Sequence, residues 1–250
     1  MTYCLAIRVD RGLIFASDSR TNAGADHVST FSKMHTFEQP GERAICLLSA
    51  GNLATSQAVL RQIRRDNERD SGPSLNSARD LAEAAEYVGS LSRVEQRKHG
   101  SAEADKFSPE ASFILGGEIS GRPHQIYLIY PEGNYISATV QTPYLQVGEL
   151  KYGKPILDRI VREDVSLDVA ARCALVSMDS TMRSNVTVGP PIELAVYRKG
   201  TYTISCYRKF ESDDPYLVEL KSCWDASLTA AFRDLPGLNL DAHCSDPPGR

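Results

Sequence analysis

Thr2-Tyr3-Cys4-Leu5-Ala6-Ile7-Arg8-Val9-Asp10-Arg11-Gly12-Leu13-Ile14-Phe15-Ala16 is the stretch on which the fold turns. Tyr3, Leu5, Ile7 and Val9 recur at every second position, the period of a strand with distinct faces. Asp10-Arg11-Gly12 is a turn signal, and Leu13 to Ala16 brings the chain back. A second hairpin follows the same logic. Met34 to Phe37 runs out, Gln39-Pro40-Gly41-Glu42 turns, and Ala44 to Leu48 returns.

Helices come next. Gly51 closes the fourth strand, and Leu53, Leu60 and Ile63 then fall at helical spacing. Leu81, Ala85, Val88 and Leu91 mark a second helix, capped near Asn76 or Ser77. The polar run from Arg93 to Glu110 reads as an exposed loop or helix end. Strands are expected at Ser112 to Leu115, at Gln125 to Tyr130 and from Tyr135. A short helix covers Ile156 to Val161. A longer one begins at Ser166 with Leu167, Ala170, Ala171, Ala174, Leu175 and Met178 on one face. Ile192 to Tyr197 and Tyr202 to Tyr207 pair across Arg198-Lys199-Gly200, and Leu217, Leu220, Trp224 and Ala231 mark a last helix. Helices arriving in pairs between antiparallel strands imply two packed sheets with helices on both outer faces. Strict strand–helix alternation is absent, which excludes a doubly wound α/β sheet. The expected domain spans 1–234, and 235–250 reads as a flexible tail.

The totals narrow the function classes. The chain has 250 residues, 42% hydrophobic and 24% charged, which fits a soluble globular protein with a substantial core. A formal charge of −4 leaves no basic footprint for nucleic acid. No run approaches the ~18 apolar residues of a membrane span. Arg8, Asp10 and Arg11 interrupt the first apolar stretch, so a signal peptide is not expected and the cytoplasm is the expected compartment. Cys4, Cys46, Cys173, Cys206, Cys223 and Cys244 form no metal pattern and read as reduced thiols, mostly in the core. The histidines show no ligand spacing. No metal and no cofactor is called for.

Hairpin register points to the chemistry. A turn near Arg11 sets Thr2 opposite residues close to Ser19, beside Asp18. A turn near Pro40 and Gly41 sets Lys33 opposite residues near Leu48, at the end of its hairpin that also carries Gly51. One end of the sheet then gathers Thr2, Asp18, Lys33 and Gly51. A threonine hydroxyl needs a base, and a chain-terminal amine of pKa about 7.7 to 8.0 can serve as one. A nearby lysine stabilises a developing alkoxide and relays a proton, and a carboxylate orients that lysine. Gly51 lets backbone N–H groups approach a reacting carbonyl. The scheme requires removal of Met1. Each residue also has an ordinary reading: a strand-ending Asp, a solvated Lys, a tight-turn Gly. Their convergence singles them out.

Thr2-Tyr3-Cys4, Phe15 to Gly24, Lys33 and Leu48-Ser49-Ala50-Gly51-Asn52-Leu53-Ala54-Thr55 resemble the proteasome β-subunit superfamily of N-terminal nucleophile hydrolases. Within it, these blocks resemble the bacterial branch called Anbu. Val147-Gly148-Glu149-Leu150-Lys151-Tyr152-Gly153-Lys154-Pro155 and Ser177 to Asn185 extend the resemblance through most of the chain. It implies an α+β fold, a four-layer αββα sandwich of two antiparallel sheets, and self-assembly into a homo-oligomeric ring. By matching positions it implies Thr2 as nucleophile, Lys33 as activator, Asp18 as its partner, Gly51 as an oxyanion donor and Asp179 as a supporting acid near the threonine. Thr21, Asn22, Ser49 and Leu53 would line the substrate groove. Two departures stand out. Glu149 occupies the place of a serine in a Gly-Ser-Gly-type turn. Met182 stands where a serine follows the supporting Asp, with Ser184 beyond it. Glu149 and Ser184 are thus candidate modulators of the site.

The function implied is cleavage of peptide or related amide bonds by Thr2. A ring-forming peptide-binding scaffold with little or no proteolysis is the alternative, motivated by Glu149. The resemblance also implies peptide-ligase and transglutaminase-type functional partners. An ATPase-coupled protease core ranks last, because Thr2-Tyr3 lacks a double threonine. Trp224 and the C-terminal aromatics fit either a core or a subunit interface.

Overall fold

The computed structural model describes residues 2–22, 28–69, 72–99 and 108–238, without the side chains of Asn22, Val28 and His99. Met1, residues 100–107 of the polar run, Cys244 and the tail from 239 onward lie outside the described residues.

The opening hairpin forms as β1 (Tyr3–Val9) and β2 (Gly12–Asp18), with Cys4 opposite Ser17 and Val9 opposite Gly12. The alternation sorts side chains by size. Tyr3, Leu5, Ile7 and Val9 face one core, while Cys4 and Ala6 face another. Both faces are buried, so the strand carries no polar stripe. The second hairpin is β5 (Met34–Gln39) and β6 (Arg43–Gly51), with Met34 opposite Leu48 and Gln39 opposite Arg43.

Two five-stranded antiparallel sheets result. The first runs β10 (Tyr144–Gly148), β1, β2, β11 (Ile192–Arg198), β12 (Ile204–Phe210). The second runs β5, β6, β7 (Ala111–Ile119), β8 (Gln125–Ile129), β9 (Tyr135–Ser137). Phe15, Leu48, Ile114 and Ile126 fill the layer between the sheets. α1 (Leu53–Arg69) and α2 (Leu81–His99) cover the second sheet through Val59, Ile63, Ala85 and Val88. α3 (Lys154–Ile160) and α4 (Leu167–Ser184) cover the first, through Leu157, Ala170, Ala174 and Met178. α5 (Pro215–Arg233) packs on α4 and buries only Leu217 fully. The architecture is the αββα sandwich that the sequence implied.

Several details differ from the sequence expectations. A two-stranded ribbon, β3 (Arg20–Asn22) with β4 (Val28–Thr30), and strand β10 had no counterpart in the pattern reading. β10 is a five-residue edge strand that pairs only with β1, far away in sequence, so neither a long period nor a hairpin turn announces it. α2 is capped by Asp80, whose Oδ1 accepts from Glu83 N at 2.9 Å, rather than by Asn76 or Ser77. Ser77 Oγ is spent on closing the preceding turn with Ser74 N. α2 also continues from Arg93 through His99, so that part of the polar run is helix. Ser166 caps α4 as expected, accepting from Val169 N. Cys4, Cys46 and Cys173 are buried, whereas Cys206 and Cys223 are exposed. Among the described residues no helix is long and apolar enough to cross a membrane.

Candidate active site

The chain start is held in place by its backbone. Thr2 O accepts from Glu149 N at 2.8 Å, and Tyr3 N donates to Asp18 Oδ1 at 3.0 Å. Tyr3 lies fully buried beneath, its hydroxyl paired with Ser177 Oγ at 2.7 Å and accepting from Gln146 Nε2 at 2.6 Å. Gly148 makes the approach possible. Its φ is +90°, and a Cβ there would lie 1.9 Å from Thr2 O.

Asp18 is the hub of the site. Its Oδ1 receives Lys33 Nζ at 2.6 Å as well as Tyr3 N, and its Oδ2 receives Gly189 N at 3.4 Å. Lys33 Nζ donates a second bond to Arg20 O at 2.7 Å. Asp18 is fully buried and Lys33 nearly so. Burial pushes the Asp18 carboxyl up, while the Lys33 ammonium and the two main-chain donors pull it back. A buried ion pair of this kind persists because its remaining lone pairs are hydrogen-bonded.

Thr2, Lys33 and Gly51 line one cleft of about 320 Å³, together with Thr21, Ser49, Leu53, Ser56 and Gly148. Gly51 ends β6 with φ +97°, and a Cβ there would lie 2.4 Å from Glu110 O, so only glycine fits. Asn52 Oδ1 then accepts from Thr55 N and caps α1, which begins at the cleft. The first turn of α1 delivers Leu53 and Ser56 to the wall.

The folded chain therefore brings together Thr2, Asp18, Lys33, Gly51, Thr21, Ser49 and Leu53. Asn22 continues β3 beside Thr21, its side chain outside the described residues. Asp179 goes elsewhere. Its Oδ1 lies 3.3 Å from Lys221 Nζ of α5, and its Oδ2 lies 3.7 Å from Arg183 Nε with no hydrogen bond. Among the described residues it makes no hydrogen bond or ion pair with Thr2, Asp18 or Lys33. Among the described residues, Glu149 hydrogen-bonds to the chain start through its backbone alone. Its carboxylate accepts from Lys151 N at 3.2 Å and from Asn185 Nδ2 at 3.1 Å. Ser184 ends α4 exposed. Arg20, Gly189 and Ser56 were not legible in the sequence, since the first two act through main-chain atoms. No group of acids, cysteines or histidines among the described residues could hold a metal.

The proteasome subunit family profile matches residues 2–197. The chain belongs to the proteasome subunit family. Its solved structural relatives include Anbu, the ancestral β-subunit, from Yersinia bercovieri. That relative is 43% identical, with a TM-score of 0.90 over 95% of this chain and 100% of that one. Anbu from Pseudomonas aeruginosa, solved as a helical assembly, is 42% identical, with a TM-score of 0.91 over 96% and 100%. A Gly-1 mutant of Anbu from Hyphomicrobium sp. strain MC1 is 41% identical, with a TM-score of 0.90 over 96% and 100%. No curated protein matches the sequence. The likeness to Anbu thus covers this proteasome-family chain almost entirely.

Proposed function

We propose that the chain is an N-terminal threonine hydrolase that cleaves peptide or related amide bonds. The observation that carries this is the convergence of Thr2, Lys33 and Gly51 on one cleft, with Asp18 bonded at once to Lys33 and to the residue after Thr2. With Met1 removed, the Thr2 amine takes the proton from its own Oγ, which attacks the carbonyl carbon. Lys33 lowers the cost of the developing alkoxide, and Asp18 holds the lysine. Gly51, at the strand-to-helix junction, offers an N–H to the carbonyl oxygen. The leaving amine departs with a proton, and water then hydrolyses the Thr2 ester. Asp179 acts in this reading through α4 and α5 rather than on the reacting atoms.

The same reading has the chain working as a homo-oligomer, as the helical assembly of the Pseudomonas relative supports. It operates in the cytoplasm, with peptide-ligase and transglutaminase-type enzymes as functional partners.

A second reading is a peptide-binding scaffold with little turnover. It is favoured by Glu149, whose carboxylate is committed to Asn185 and Lys151 N.

Intact-protein mass after exposure to a peptide epoxyketone separates the two. That reagent captures both the amine and the hydroxyl of an N-terminal threonine. Methionine loss plus one adduct per chain, absent in Thr2→Ala, is the expected result. Methionine loss without an adduct would favour the scaffold.

A further inference from the structure

A second cavity, of about 350 Å³, lies beside the Thr2 cleft and shares Ser49, Leu53 and Ser56 with it. Arg61 and Arg64 of α1 also line it. They stand three residues apart and so share one face of the helix. Neither guanidinium has a hydrogen bond or ion pair among the described residues. Arg8, Arg43, Arg79, Arg172, Arg183 and Arg208 each hold a carboxylate, while Arg11, Arg65, Arg122 and Arg198 are, like Arg61 and Arg64, without one among the described residues, so the cavity lining is what sets the pair apart.

No residue lining the cavity is acidic. Glu193 lies outside the lining: Ser32 Oγ shares its one hydrogen between the two carboxylate oxygens at 2.9 and 2.8 Å, the Tyr207 hydroxyl bonds to Oε1, and the two arginines outnumber this acid. His35 also lines the cavity. Burial and the neighbouring Arg64 lower its imidazole to about 4, so it is neutral at physiological pH. The positive charge of the cavity therefore belongs to the arginines.

We propose that this cavity receives the carboxylate of a substrate glutamate or aspartate adjacent to the bond presented to Thr2, with Arg61 and Arg64 as the specificity-determining residues. The placement of that bond rests on the hydrolase reading above; the charge preference does not. Guanidinium groups match carboxylates in planar, forked pairs, and a wall shared with the cleft fixes which substrate residue can reach them. The plain alternative is a solvated basic helix face: Arg61, Arg64 and Arg65 are all exposed on α1, and Arg65, outside the cavity lining, serves as the control.

The test uses fluorescent peptides identical except for a final Glu, Gln or Lys, titrated by anisotropy into the full chain carrying Thr2→Ala. The glutamate peptide is expected to bind about fivefold tighter than the glutamine peptide. That preference should fall below about twofold in the Arg61→Gln/Arg64→Gln double variant and fall partway in each single variant. Arg65→Gln should leave it unchanged. Equal binding of Glu and Gln peptides, no measurable binding of the Glu peptide, or a preference that survives the double variant would overturn the proposal. A loss as large in Arg65→Gln would do the same. Binding is read without catalysis, so the two readings fail separately. A charge preference with no wild-type turnover sinks only the hydrolase; turnover with no charge preference sinks only the acidic subsite.

Discussion

Asp18 and Asp179 are both buried aspartates that the resemblance to proteasome subunits assigned to one site, and the fold treats them differently. Asp18 ends a strand, and its carboxylate takes Lys33 Nζ at 2.6 Å, Tyr3 N at 3.0 Å and Gly189 N at 3.4 Å. Asp179 sits on a helix, meets Lys221 and Arg183 at 3.3 and 3.7 Å, and leaves Oδ2 without a hydrogen bond. The strand residue is positioned by register, which two turn signals determine locally. The helix residue is positioned by how α4 rotates and where α5 docks, and neither follows from local spacing. A carboxylate fastened on both oxygens suits catalysis, where small displacements are costly. One held by partly exposed cations suits the packing of two helices.

The largest separation between the two should come from Lys33→Met. It leaves Asp18 buried without its partner, and denaturant unfolding should show a loss of about 3–5 kcal/mol. Turnover should fall by about 10²–10⁴-fold, since a proton relay is lost. A variant that kept both would break the distinction.

Gly148→Ala should rank next. The left-handed φ and the clash with Thr2 O predict a loss of about 2–3 kcal/mol. Epoxyketone labelling should slow even where the chain stays folded, because Thr2 moves.

Protonation of His35 gives a smaller, pH-dependent effect near the strand-held side. Its folded pKa of about 4 lies below its ordinary value of 6.5. Its contribution is therefore fully present above about pH 6.5 and is lost as pH falls through 4. Discounted for partial exposure, it amounts to about 1–2 kcal/mol by pH 4.5. His35→Gln should flatten that part of a urea-midpoint profile, and an unchanged profile would remove His35 from the account.

Asp179→Asn should be the mildest, under about 1 kcal/mol by thermal or urea unfolding, with turnover within about threefold of wild type. A hundredfold loss would return Asp179 to the reacting atoms.

The legible parts of the molecule share a cause. Tyr3-x-Leu5-x-Ile7-x-Val9, Asp10-Arg11-Gly12 and Gln39-Pro40-Gly41-Glu42 encode period and turn within a few residues, so strands and register followed. With them came Thr2 near Ser19 and Lys33 near Leu48. Strand β10 was hidden because it is only five residues long and pairs with β1, far away in sequence, with no hairpin turn beside it. The cap of α2 was misplaced because Ser77 and Asp80 are both good caps, and only the turn at Ser74 shows which one is free.

By itself, the sequence determined the two hairpins, the buried faces of α1, α2 and α4, the glycine at the strand-to-helix junction and the nucleophile candidate; on α5 it overreached, since Ala231 is exposed. Those features depend on interactions between residues close along the chain. The tertiary structure alone decided that Arg20 O and Gly189 N complete the Lys33–Asp18 pair, that Asp179 turns to α5, and that Arg61 and Arg64 line a cavity joined to Thr2. These contacts join segments far apart in sequence through main-chain atoms or helix docking, and no local pattern of side chains carries that information.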